Sequence, residues 1–154
     1  MEIKASLVII NEKNIKGQPG VTKGQMYKRL VGCPEIAATE RVRLGRASYE
    51  PGTYEQLHWH PIEACYYVIS GNATVRDING KEYEVGPGSI IYAPPGIAGA
   101  HEWEVENGLE LLDIRATTET NRKMQFTVDK KTKRSYIDLE ELIKREGVNF
   151  KSHY

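Results

Sequence analysis

Three of the four histidines fall at two places, His58 and His60 one residue apart and His101 further along. Neutral imidazole is a good ligand for divalent transition metals, and three that converge make a mononuclear centre. For His58 and His60 the spacing itself is informative. On a strand, residues i and i+2 point to the same face, roughly 6–7 Å apart at Cα, so both rings can reach one cation from a rigid floor. The pair lies inside GTYEQLHWHPIEACYYVISG, an aromatic-rich run bounded by Gly52 and Gly71. His101 closes a second glycine- and proline-punctuated run, GSIIYAPPGIAGAH. The sequence therefore predicts a metal site inside a β-barrel.

The elements that must carry these residues are short strands. Leu57–His60 and Ala64–Ile69 flank Pro61, and Ser70-Gly71-Asn72 turns into Ala73–Asp77. Asn79-Gly80 is a strong two-residue hairpin signal with Lys81–Val85 returning. Gly86-Pro87-Gly88 leads into Ser89–Ala93, and His101–Val105 and Leu109–Ala116 are expected to pair across Asn107-Gly108. Upstream, Gln25–Val31 and Thr39–Ser48 read as strands, and Gln125–Val128 as one more. Many short strands at close spacing indicate a sandwich or closed barrel rather than βαβ units. Residues 1–10 alternate weakly, as an edge strand or a segment lying across a partner subunit would. The polar stretch NEKNIKGQPGVTKG that follows reads as a loop. Near the C-terminus Asp138 is a plausible N-cap, with Glu141 three residues on and Gly147 beyond the end, for a short helix over about 138–146.

Composition narrows the function classes. The 154 residues suit one domain, with 21 basic residues against 21 acidic ones. That balance calls for neither a nucleic-acid backbone nor an anionic membrane as partner. No stretch has the apolar length of a membrane span, and MEIKASLVII lacks the basic region of a signal peptide. Cys33 and Cys65 show no metal or redox spacing, which points to a reducing cytoplasm.

The two histidine-bearing runs resemble the two motifs of the cupin superfamily. The first motif runs G-x5-H-x-H, a spacer, Glu, six residues, Gly, and Gly52, His58, His60 and Gly71 stand in its register. The second runs G-x5-P-x-G, a short spacer, then His, matched by Gly88, Pro94, Gly96 and His101. The resemblance covers roughly residues 40–116, with a barrel core of about 25–128 in a single domain over 1–154. It implies an all-β fold, the double-stranded β-helix or jelly-roll-like barrel, here with the short C-terminal helix. It also implies a homodimer and one metal per chain. The chain departs from the pattern in three places. Ala64 stands where the family has its glutamate ligand, and Glu63 is one residue early, which on a strand faces the other way. The spacer before His101 is two residues longer, and Val105 replaces the second motif's asparagine. The ligand set so implied is His58, His60 and His101; Glu63 would join it only through a bulge after Pro61.

Strand parity sends Gln56 and Tyr54 to the side of the histidines, with Tyr66 on the next strand and Trp103 beyond His101. Gln56, Tyr66 and Trp103 are the pocket candidates, the two aromatics equally readable as core. Arg41, Arg43, Arg46 and Arg115 are strand residues able to meet an anion, and parity does not choose among them. Three neutral ligands suit iron, zinc, nickel, manganese or copper. The first functional expectation is a dioxygenase acting on a small oxygenated molecule, as in the three-histidine cupins. The alternatives are a non-redox isomerase, cyclase or lyase, and a barrel that binds a sugar or metabolite without turnover. A single expected helix cannot supply a DNA-reading helix pair.

Overall fold

Short runs of β-branched and aromatic residues, each cut by glycine or proline, leave the chain little choice but to turn back on itself every few residues. The computed structural model describes residues 3–20, 22–33, 36–116, 125–138 and 140. Its strands are β1 (Gln18–Pro19), β2 (Gln25–Val31), β3 (Val42–Tyr49), β4 (Tyr54–Trp59), β5 (Ala64–Gly71) and β6 (Ala73–Asp77). They continue with β7 (Glu82–Val85), β8 (Ile90–Ala93), β9 (His101–Glu104), β10 (Leu109–Ala116), β11 (Phe126–Val128) and β12 (Ser135–Tyr136).

The strands form two six-stranded antiparallel sheets, ordered β1-β2-β3-β10-β5-β8 and β12-β11-β4-β9-β6-β7. The chain crosses between sheets at nearly every turn. The hairpin expected at Asn79-Gly80 is present, with Ala73 opposite Val85 and Arg76 opposite Glu82. The pairing expected across Asn107-Gly108 is not. β9 joins β4 and β6 while β10 joins β3 and β5, so this turn is a corner between sheets. A local turn signal cannot tell a hairpin from a corner, because both need the same backbone reversal. Gly71 shows what a corner demands. Its φ is 79°, and a Cβ there would lie 2.1 Å from the Gly108 carbonyl oxygen of the neighbouring corner. Only glycine fits both constraints.

The inner faces of the two sheets make one core. Ala47, Val68, Leu109 and Leu111 come from the first sheet, and Ala73, Val75, Val85 and Trp103 from the second, with Val105 between them. This apolar half fills one end of the barrel and leaves the other to polar side chains. Residues 3–10 are not an edge strand. They have no regular structure, and Ile3, Leu7 and Ile9 are more than four-fifths exposed. The loop after them contains a single 3-10 turn (Glu12–Asn14) and β1, whose Pro19 is tolerated because β1 lies at a sheet edge. Both cysteines are free thiols. The helix expected over 138–146 lies almost wholly outside the described residues. Among the described residues, no helix is long and apolar enough to cross a membrane.

Candidate metal centre

Strand β4 delivers His58 and His60 to the barrel interior, and β9 opens with His101 directly opposite His58 in the register. All three are buried, His58 to 1% exposure. Their ring centroids lie 4.5 Å (His58 to His101), 4.9 Å (His58 to His60) and 5.7 Å (His60 to His101) apart. One nitrogen from each ring falls within 4.8 Å of the others, a cluster able to hold one metal ion. The two extra residues before His101 are taken up by a 3-10 turn over Ile97–Gly99, so the histidine keeps its inward facing.

Backbone carbonyls aim two of the rings. His58 Nδ1 donates to the Gln56 carbonyl at 2.7 Å, and His101 Nδ1 to the Gly99 carbonyl at 2.8 Å. A carbonyl can only accept, so each Nδ1 carries a proton and Nε2 is the nitrogen left to face a metal. This is how metal-binding histidines are usually oriented, by a hydrogen bond on the nitrogen away from the metal. Burial, and then the neighbouring His58, push the His101 pKa down to about 3, so the ring stays neutral. Three buried nitrogen donors fit a borderline divalent metal and suit a hard, oxygen-seeking one less well.

The other predicted residues separate clearly. Tyr66 is buried, and its hydroxyl donates to His101 Nε2 at 3.2 Å. Burial holds its pKa well above the ordinary phenol value. Trp103 packs edge-on against Tyr66 at 5.4 Å and against His101 at 6.2 Å, walling the cluster off from the apolar core. The Gln56 amide is turned to Thr127 Oγ1 at 3.3 Å, and it is the backbone of Gln56 that meets His58. Glu63 is exposed and accepts from the Tyr92 hydroxyl at 2.8 Å, away from the cluster. Ala64, in the position of the family's glutamate, is buried and faces inward.

Of the four arginines, Arg41 is exposed, and Arg46 pairs with Glu12 and Glu110 on the outer face. Arg43 and Arg115 point inward, directly opposite each other on β3 and β10. Arg115 Nε donates to Asp113 at 2.8 Å, and its Nη1 lies 3.4 Å from His60 Nδ1. Burial alone would lower the Arg115 pKa, but Asp113 outweighs it and the guanidinium stays charged. Arg43 is lowered by its own burial and by Arg115.

One residue escaped the parity argument. Glu55 is three positions from His58, so an unbroken strand would turn it outward. The β4–β9 register is irregular between Glu55 and His58. This brings the Glu55 carboxylate 3.7 Å from His58 Nε2, with its side chain only 12% exposed. A bulge is the one device that re-aims a side chain without leaving a sequence mark, and no signal in the chain announced it. Glu102 is buried, held by Lys130 and Arg76, while Glu104 is half-exposed.

Comparison with known proteins agrees with this architecture. The family of cupin domains (Cupin_2) matches residues 45–115. Oxalate decarboxylase OxdC of Bacillus subtilis is 31% identical over 90 residues, which are 56% of this chain and 23% of that protein. Its structure superposes with a TM-score of 0.64 at 23% identity, over 82% of this chain and 33% of its own. This chain thus spans about a quarter to a third of that relative, one of whose structures concerns its Mn(II) centres. The polyketide cyclase RemF of Streptomyces resistomycificus gives a TM-score of 0.63 at 20% identity, over 72% of this chain and 80% of its own. An RmlC-like cupin of Shewanella frigidimarina gives 0.61 at 15% identity, over 75% and 95%. The motif glycines, the paired sheets and the inward histidines all agree with that match: the chain has the cupin fold and matches the cupin domain model over residues 45–115, without the first-motif glutamate.

Proposed function

We propose that this chain is a metal-dependent enzyme that works by proton transfer on a small oxygenated organic molecule, in the isomerase, cyclase or lyase class. The observation that carries the reading is the company the histidines keep. The Glu55 carboxylate lies 3.7 Å from His58 Nε2, and the Tyr66 phenol hydrogen-bonds His101 Nε2 at 3.2 Å. His58, His60 and His101 would hold the ion, and a divalent metal so held would polarise a substrate carbonyl as a Lewis acid. Glu55 is placed to take a proton from the carbon beside that carbonyl. Tyr66, kept protonated by burial, is placed to donate one. Trp103 excludes water from the inner side. A relative named as a decarboxylase supports the lyase branch of this reading.

The dioxygenase expected from the sequence is the second reading. It is favoured by Ala64, which leaves the three histidines without the motif carboxylate and the metal with its full charge. One experiment separates the two. Metal analysis of protein purified without a histidine tag is combined with oxygen uptake and product analysis on diketones, hydroxyketones and enols. Turnover without oxygen consumption supports proton transfer, whereas substrate-dependent oxygen uptake with bound iron supports the dioxygenase. Absence of metal after reconstitution would leave a binding barrel and sink both. The exposed Leu7, Ile9 and Ile90 support the homodimer implied by the family, which sedimentation measures directly.

A further inference from the structure

We propose that the substrate is a carboxylic acid, and that Arg115 seats its carboxylate in the space opened by Ala64, beside the trihistidine cluster. The inference rests on the metal reading above and specifies the substrate class of the same site.

Three observations converge on it. In the register of β5 and β10, Arg115 is the direct partner of Ala64, so a cation stands across from the position where the family places an anionic ligand. The strand on the other side contributes Ala93, again a methyl group, and both alanines are buried. On the β5 and β8 side of Arg115 the wall is therefore built from two methyl groups. Second, Arg115 and Arg43 are direct cross-strand partners facing inward. Like charges placed opposite each other repel; Asp113 already offsets part of this on Arg115 Nε, and a substrate anion on the guanidinium's other nitrogens would add to that relief.

The third observation concerns His60. Arg115 Nη1 lies 3.4 Å from His60 Nδ1, and a guanidinium has only donors, so this contact needs a lone pair on Nδ1. Metal binding removes that lone pair either way. If Nδ1 is the ligand, the pair is in the metal bond. If Nε2 is the ligand, the neutral ring carries its proton on Nδ1. In both cases a donor of a buried guanidinium, its side chain 13% exposed, loses its acceptor next to the ion. A substrate carboxylate would take that donor more strongly than a neutral acceptor, since its bond to the guanidinium is charge-assisted and its other oxygen is offered elsewhere. Asp113, on the far nitrogen Nε, fixes the direction of the fork.

The probe is malonate, with neutral malonamide as its control, titrated calorimetrically into metal-loaded protein whose metal content is measured in parallel. Three proteins are compared: the natural chain, Arg115→Gln and Ala64→Glu. The second variant adds a carboxylate opposite an existing cation, and the first removes the cation. The natural chain should bind malonate at least tenfold more tightly than malonamide. Both variants should keep their metal and lose at least tenfold in malonate affinity. Equal malonate affinity in metal-loaded Ala64→Glu and the natural chain would overturn the carboxylate seat and leave the metal reading intact. A natural chain that takes up no metal would overturn the metal reading, and this inference with it.

Discussion

Removing one oxygen atom tests the geometry of the centre most directly. In Tyr66→Phe the ring stays, with its edge-on contacts to His101 at 5.5 Å and Trp103 at 5.4 Å, and only the hydroxyl at 3.2 Å from His101 Nε2 is lost. A buried hydrogen bond of this kind contributes a net ~1 kcal/mol, so the metal-free variant should be less stable by that amount. For a domain of this size that is a fall of roughly 3 °C in Tm. Metal affinity should move the other way. To bind a metal through Nε2 the natural protein must give up the Tyr66 hydrogen bond, whereas the variant has none to give up. The same ~1 kcal/mol then appears as an affinity gain of about fivefold. Urea denaturation of the metal-free proteins gives the first quantity, and competition with a chelator of known affinity gives the second. A variant that binds metal more weakly than the natural protein would refute the assignment of Nε2 as the ligand atom, and would make Tyr66 a supporter of the metal.

Other outcomes follow from single features. Folded His101 holds its pKa near 3 against 6.5 in the open chain, so between those values the unfolded state binds more protons. Metal-free protein should have this contribution in full above about pH 6.5 and lose it as the pH falls toward 3. The slope approaches ~1.4 kcal/mol per pH unit at most, and urea midpoints for His101→Gln should depend less on pH across that window. Glu63→Ala should leave metal content unchanged and shift stability by no more than ~0.5 kcal/mol, since it breaks only an exposed bond to Tyr92; a loss of metal would show that Glu63 reaches the site. Gly71→Ala should destabilise the fold by at least ~2 kcal/mol, because its positive φ and the Gly108 carbonyl both exclude a side chain; denaturation midpoints check this.

Much of the centre was legible because a strand has a fixed period. His58 with His60, Tyr66 with Ala64, and Trp103 with His101 all share the faces that alternation assigns them, and the family's two motifs mark the corners. What was not legible depends on pairing between strands distant in the chain. Asn107-Gly108 turns the chain from one sheet to the other rather than back along its neighbour. Choosing Arg43 and Arg115 over Arg41 and Arg46 required the register of β3 against β10. Glu55 required a bulge, which changes facing by one residue while leaving composition untouched. The exposed apolar segment before Glu12 looks in sequence like a strand, but no sheet edge receives it in the described structure.

The register that sets His58 opposite His101 also fixes when the centre can come into being. The strands at the middle of both sheets pair with ones far away in the chain, β10 between β3 and β5, and β9 between β4 and β6. Chains dominated by such pairings fold slowly, because distant segments must be closed into loops before any contact rewards them. The HxH pair exists on any extended β4, but the third histidine joins it only when β9 docks. A metal that needs all three ligands therefore meets its site only once β4 and β9 have paired. Its binding energy should appear almost entirely as slower unfolding, making the ion a lock on the finished barrel and not a template for building it.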